Sequence, residues 1–215
     1  MPRPKYCANA IYPYHVSARC INKEWFKVPL FEVWEIVGNN LFFISHAYKI
    51  KVHAFVLMSN HFHLLISTPE ANLCEAMAYF MRESSRAIAR CAGRINQTFG
   101  GRYHSSLITK ESYFLNAYKY IYRNPVEAGL VPLVEDYEFS TLKGILGFSK
   151  LIIPVIEDTL LFECSNSVES HLLWLNHAPD PDHLDAVRKA LRRREFQYGK
   201  DKNTNRLSHG ENDIL

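Results

Sequence analysis

Two histidines separated by one residue, His61-Phe62-His63, stand inside the apolar run MSNHFHLLIS (Met58 to Ser67). Side chains two apart on an extended strand share a face, so both imidazoles look one way while Phe62, Leu64 and Ile66 look the other. Neighbouring imidazoles repel when charged and are costly to desolvate, so a third group should accompany them. Neutral imidazole is the commonest protein metal ligand, and two on one strand face can grip a single divalent ion. An isolated His-x-His is more often a surface or hydrogen-bonded pair without a ligand; a further ligand reverses that balance. His15, His53 and His104 are candidates, as is the end of the helix ESYFLNAYKYIYRNP.

That helix holds Tyr113, Tyr118, Tyr120 and Tyr122 and runs to Asn124 just before Pro125. Tyr120 and Asn124 are four residues apart and share a face, which Tyr113 and Ala117 extend. Phe114, Tyr118 and Ile121 form the better core stripe, and Tyr122 points roughly opposite Tyr120. A phenol at Tyr120 and an amide oxygen at Asn124 can therefore approach one metal together, and Tyr122 cannot join them. Tyr113, Tyr118 and Tyr122 are expected simply to pack.

The elements that must position these groups follow from periodicity. YHVSARC (Tyr14 to Cys20) alternates as a strand, and Pro29 to about Ile44 reads as a helix opened by its proline. KVHAFVLM and HFHLLIS are strands joined by Ser59 and Asn60, as in a hairpin. A helix from about Asn72 to Ala92 is stopped by Gly93. GRYHSSLIT reads as a fourth strand, and the tyrosine helix, capped by Thr109 or Ser112, ends where Pro125 interrupts it. The expected fold is α+β: a ferredoxin-like βαββαβ core with an antiparallel sheet and an extra helix carrying the tyrosine. The expected division is a catalytic domain over residues 1–149 and a small, mainly helical extension over residues 150–215. In the extension, LIIPVIEDTLLFECSNS forms a small packed piece, Ser167 to Asn176 a short helix, and Leu184, Val187 and Leu191 the apolar stripe of another. Gly199 to Leu215 is polar enough to be a loose tail.

At 215 residues, 47% hydrophobic, the chain can bury a core, and its net charge of only +3 says little until the charges are located. No secretory signal is expected in the first fourteen residues, and no apolar run is long enough to cross a bilayer. The five cysteines, Cys7, Cys20, Cys74, Cys91 and Cys164, are scattered without a CxxC pair, which argues against a zinc knuckle or a disulfide framework. A soluble, reducing, cytoplasmic setting is expected, without membrane contact.

HAFVLMSNHFHLLI together with YKYIYRNPVEAGLV resembles the single-tyrosine transposases of small bacterial insertion sequences, most of all their REP-associated relatives. GRYHSSLI and YEFSTLKGILG extend the likeness, which runs from about Tyr14 to Gly147. These are HUH endonucleases, named for histidine, hydrophobic, histidine. The resemblance implies that His61 and His63 bind a divalent cation, Mg2+ or Mn2+, with Asn124 completing the metal site (some relatives carry Gln there) and Tyr120 as nucleophile. It also implies single-stranded DNA cleavage and strand transfer through a 5′-phosphotyrosine, on imperfect hairpins, by a monomer or homodimer. The chemistry is coherent: a metal offsets charge developing on a phosphodiester, and a phenol needs a positive field or a base before it attacks. Exchange of one phosphoester for another conserves the bond, so a freed hydroxyl can rejoin without a nucleotide cofactor. Imidazole ligands suit manganese better than magnesium, so manganese is expected to serve at least as well.

Arg82, Arg86, Arg90 and Arg94 recur every four residues along the second helix and should form one basic ridge, opposed by Glu83 alone. Arg102, Lys110 and Arg123 are expected to extend it toward DNA. VRKALRRREF (Val187 to Phe196) is a second basic cluster that could touch DNA or pack on an acidic partner. Two other functions fit the same residues: a small-substrate metalloenzyme whose His-x-His is completed by a third histidine, and a non-catalytic hairpin-binding regulator derived from a transposase.

Overall fold

The computed structural model describes residues 8–156, 167–200 and 213–215. Among the described residues, four strands and six helices follow one another as β1 (Tyr14–Arg19), α1 (Leu30–Ala47), β2 (Lys51–Leu57), β3 (His61–Ser67), α2 (Leu73–Cys91), β4 (His104–Leu107), α3 (Glu111–Glu127), α4 (Leu142–Ile145), α5 (Val168–Asn176) and α6 (Pro181–Ala190). The sheet order is β2-β3-β1-β4 and every neighbouring pair is antiparallel. β3 thus sits between β1 and β2, as the βαββαβ order requires.

Alternation along β3 sorts its side chains between two layers. Phe62, Leu64 and Ile66 are fully buried with Val16 and Phe55 against α1 and α2. Leu65 faces the other way, with Ala54 and Val56, against α3. This second face is not open, as a sheet with helices on one side would leave it. α3 crosses it, and Leu175 of α5 with Leu184 and Val187 of α6 close the same apolar cluster. Because α3 is covered from both sides, Tyr113, Tyr118 and Tyr122 are all buried, and the Tyr122 hydroxyl lies 2.8 Å from Thr141 Oγ1.

Two local expectations are corrected. β4 is shorter than GRYHSSLIT, spanning four residues. Pro125 does not end α3, which continues to Glu127. So near the end the missing N–H removes a single helical bond, that to the Ile121 carbonyl, and the stop comes instead at Gly129, whose φ of +68° favours glycine. The last turn closes with Ala128 N–H donating to Asn124 O at 3.0 Å and Leu130 N–H to Pro125 O at 2.9 Å.

The C-terminal segment is not simply a loose tail. Residues 201–212, and residues 157–166 of the LIIPVIEDTLLFECSNS stretch, lie outside the described residues. The final residue, however, is docked: Leu215 N–H donates to Asn116 Oδ1 at 2.7 Å, and its carbonyl accepts from Lys119 Nζ at 3.0 Å and Trp174 Nε1 at 3.1 Å. The extension also lines both sheet edges, Val155 bridging to Val52 of β2 and Glu195 to Leu107 of β4. Among the described residues no helix is long and apolar enough to cross a membrane.

Candidate active site

β3 presents His61 and His63 on the α3 side of the sheet, with ring centroids 5.1 Å apart. The β1–β3 register sets Ser17 opposite His63 and Arg19 opposite His61, which brings His15, on the same face of β1, diagonally alongside. His15 Nε2 and His63 Nδ1 are 2.9 Å apart and their rings stack at 5.2 Å. His61 Nδ1 lies 2.7 Å from Asn60 Oδ1, so its proton sits there and Nε2 carries the lone pair. Each member of the pair thus has Nδ1 engaged by a neighbour, the arrangement by which ligating imidazoles are oriented.

Burial keeps these rings neutral. It pulls His15 down to about 3, with the nearby His104 adding to the effect, and His61 to about 4, with Arg19 contributing. His63 falls well below the ordinary range, first through burial and then through His15, His61 and Arg19. A neutral imidazole offers its lone pair to a cation, so the donor set suits a divalent metal. Among the described residues, no cluster of three or more His, Cys, Asp or Glu side chains forms a ready-made metal cage. A cage would need the Asn124 amide as a further ligand.

α3 supplies that amide and the phenol. Tyr120 is only half-buried, unlike the other three tyrosines of its helix. Its ring stands edge-on to His63 at 5.5 Å and to His15 at 6.3 Å. Asn124 Nδ2 donates to the Tyr120 carbonyl at 2.7 Å, which leaves Oδ1 as the atom free to meet a cation. The continuation of α3 through Pro125 holds this pair one turn apart on one face.

These groups share a cavity of about 540 Å3. His15, His61 and His63 line its floor, Tyr120, Asn124 and Glu127 one wall, and Arg19, Arg102, His104, Arg188 and Arg192 other parts of its surface. His104 Nε2 lies 3.0 Å from the Leu191 carbonyl, tying β4 to the end of α6. Of the three other histidines that could partner the pair, His15 touches it and His104 shares the cavity. His53 lies elsewhere, its Nε2 2.7 Å from Ser67 Oγ.

The basic residues divide differently from the ridge expected. Arg82, Arg86 and Arg90 are exposed on α2, but the sheet stands between α2 and the cavity. Glu83 takes hydrogen bonds from Arg82 Nε at 2.7 Å and Arg86 Nη1 at 3.3 Å, and Arg94 is half-buried against Glu24 at 3.1 Å. Arg102 does not continue the ridge; it belongs to the cavity. Lys110 lines a separate cavity of about 530 Å3, its Nζ 5.4 Å from the centroid of the Tyr113 ring. Arg123 is turned inward, away from the ridge: its side chain is 5% exposed and its guanidinium is taken by Glu127 at 2.7 Å and by the carbonyls of Leu175 and Asn176 at 3.1 and 2.9 Å. Arg19, Arg188 and Arg192 were not singled out individually by sequence. The RKALRRR run is the signal for the latter two, but nothing local says which way it turns.

Comparison with known proteins bears on this arrangement. A REP-associated tyrosine transposase, solved bound to a REP hairpin, superposes with a TM-score of 0.59 at 16% identity, over 73% of this chain and 93% of that one. At that identity the likeness is one of fold. No curated protein matches the chain. Residues 14–124, from the start of β1 to the amide beside Tyr120, match the family described as "Transposase IS200 like". That span holds His15, the His61–His63 pair, Tyr120 and Asn124, and the chain belongs to the IS200-like transposase family.

Proposed function

We propose that this protein cleaves and rejoins single-stranded DNA at hairpins through Tyr120, with Mg2+ or Mn2+ held by His61, His63 and Asn124. The observation that carries the reading is the half-exposed Tyr120 ring edge-on to His63 at 5.5 Å, in a cavity shared with His61 and Asn124. When bound, the cation polarises the phosphoryl group and offsets charge developing on its oxygens.

The chain's own residues do the rest. His15 and Asn60 hold the two imidazoles by their Nδ1 atoms, so that Nε2 of each would be the atom to hold a cation. For His63 this requires the proton on Nδ1, donated to His15 Nε2. Tyr120 Oη attacks phosphorus, the P–O3′ bond breaks, and the phosphate remains on the tyrosine as a 5′-phosphotyrosine. The phenolic proton leaves to solvent and the departing 3′ oxygen takes one up. A 3′-hydroxyl can then attack the phosphotyrosine and restore a DNA phosphodiester, the same exchange in reverse. Arg102 at the cavity, Arg82, Arg86 and Arg90 on α2, and Arg94 just beyond that helix are proposed DNA contacts, the last four for a duplex stem lying across the other side of the sheet. The enzyme acts in the cytoplasm, as a monomer or homodimer.

The test uses an end-labelled DNA hairpin with a single-stranded flank, manganese and denaturing electrophoresis. Wild-type protein forms a covalent complex that is lost with chelator and in Tyr120→Phe. Tyr122→Phe retains the complex, because its hydroxyl is buried on Thr141 and its loss costs only about 1 kcal/mol of stability. An adduct that survives Tyr120→Phe and vanishes with Tyr122→Phe overturns the assignment. Tight hairpin binding without an adduct under either metal would instead mark a regulator.

A further inference from the structure

The C-terminal extension contributes two cations to the site, and nothing in the match over residues 14–124 accounts for them. Arg188 lies in α6 and Arg192 one turn later, where the helical path continues through Leu191, whose N–H donates to Val187 O at 2.9 Å. Leu184, Val187 and Leu191 anchor that helix in the core, leaving both guanidinium groups on the cavity side. The position is fixed from two directions. His104 of β4 meets the Leu191 carbonyl, and the chain beyond it pairs with β4, Leu107 N–H donating to Arg194 O and Phe196 N–H to Leu107 O, each at 2.8 Å.

Neighbouring charges are held in ion pairs or hydrogen bonds, whereas these two feel only the more distant field of the solvent-facing Asp185 carboxylate. Lys189 pairs with Asp185 at 2.6 Å, and Arg193 Nη1 donates to Tyr198 O at 3.3 Å. Among the described residues Arg188 and Arg192 make no ion pair or side-chain hydrogen bond. With Arg19 and Arg102 they give the cavity four arginines against one carboxylate, Glu127, which the buried Arg123 already holds. A concave, strongly cationic surface with unpaired guanidinium forks fits a phosphate chain, and an arginine pair one turn apart can span successive phosphates.

We propose that Arg188 and Arg192 grip the backbone phosphates flanking the one that Tyr120 attacks, so that α6 is a working part of the site and not an appendage. The proposal rests on the strand-cleavage reading for which phosphate lies at the centre; the grip itself is a binding property and is measured separately.

The experiment compares full-length wild type, R188A/R192A, R188K/R192K and, as a control from the same basic run, Arg194→Ala. Affinity for the flanked hairpin is measured from low to high salt, and adduct formation is followed on substrates whose flank is trimmed nucleotide by nucleotide. Each lost phosphate contact to a single strand lowers the salt slope by about 0.7, so R188A/R192A should lose about 1.4. Its adduct should form at least about tenfold more slowly on long flanks, and the deficit should disappear once trimming removes the gripped phosphates. R188K/R192K keeps the charge and most of the slope, which separates charge loss from misfolding, and Arg194→Ala matches wild type. An unchanged slope and adduct rate in R188A/R192A overturn the grip while leaving Tyr120 chemistry standing. If wild type forms no adduct yet R188A/R192A still flattens the salt slope, the cleavage reading fails and the phosphate grip survives.

Discussion

Arg123 offers the sharpest test of how this fold uses a charge. Its guanidinium reaches the last two carbonyls of α5, Leu175 and Asn176, which the helix itself leaves without partners. A cation there also faces the negative end of the helix dipole. Removing it in Arg123→Ala orphans both carbonyls and opens space under a side chain that is 5% exposed. Two hydrogen bonds from a charged donor, at roughly 1.5 kcal/mol each, set the loss at about 3 kcal/mol. The Glu127 partner adds little, because its carboxylate is 30% exposed and returns to water when released. Urea unfolding should therefore show a lower midpoint with unchanged slope in Arg123→Ala, and a fall in Tm of roughly 6–12 °C for a chain of this size. Arg123→Met should fare little better, since it fills the space without satisfying the carbonyls, and Glu127→Gln should cost less than about 1 kcal/mol. DNA affinity of the folded variant, and its salt dependence, should match wild type. Stability within about 0.5 kcal/mol of wild type, together with a flattened salt slope, would refute the reasoning and return Arg123 to the DNA surface.

Two further outcomes follow from the histidine cluster. His15→Ala removes the group that holds His63 Nδ1, so metal affinity measured by calorimetry should fall about 10- to 100-fold while Tyr120 remains in place; unchanged affinity would deny His15 that role. The second concerns acid. His15, at about 3, and His61, at about 4, stay neutral in the folded chain far below the ordinary histidine value of about 6.5. The unfolded chain therefore binds protons first as pH falls, and stability is full above about pH 6.5 and declines toward pH 4. In metal-free buffer the decline approaches roughly 1.4 kcal/mol per pH unit for the fully buried His15 and less for the partly exposed His61. His15→Gln should show a shallower fall in Tm between pH 7 and pH 5 than wild type, and identical slopes would rule the cluster out as the cause.

What could be read from the chain alone is what short-range sterics encode. Strand alternation places His61 and His63 on one face wherever the strand ends up, and helical periodicity does the same for Tyr120 and Asn124. The order of strands and helices along the chain follows from the same local patterns, and that order is what makes a ferredoxin-like antiparallel sheet the expectation. Tertiary structure decided everything that depends on which elements meet. It brought His15 to His63 across 48 residues through the β1–β3 register, and folded α3 over the sheet face that local pattern left bare. It also separated charges that look alike in sequence: Arg123 is drawn inward by helix-end carbonyls 52 and 53 residues away, Arg82 and Arg86 share a neighbouring carboxylate, and Arg188 and Arg192 turn into the cavity. A charge's role depends on the partners that packing delivers to it, and no periodicity within its own segment names those partners.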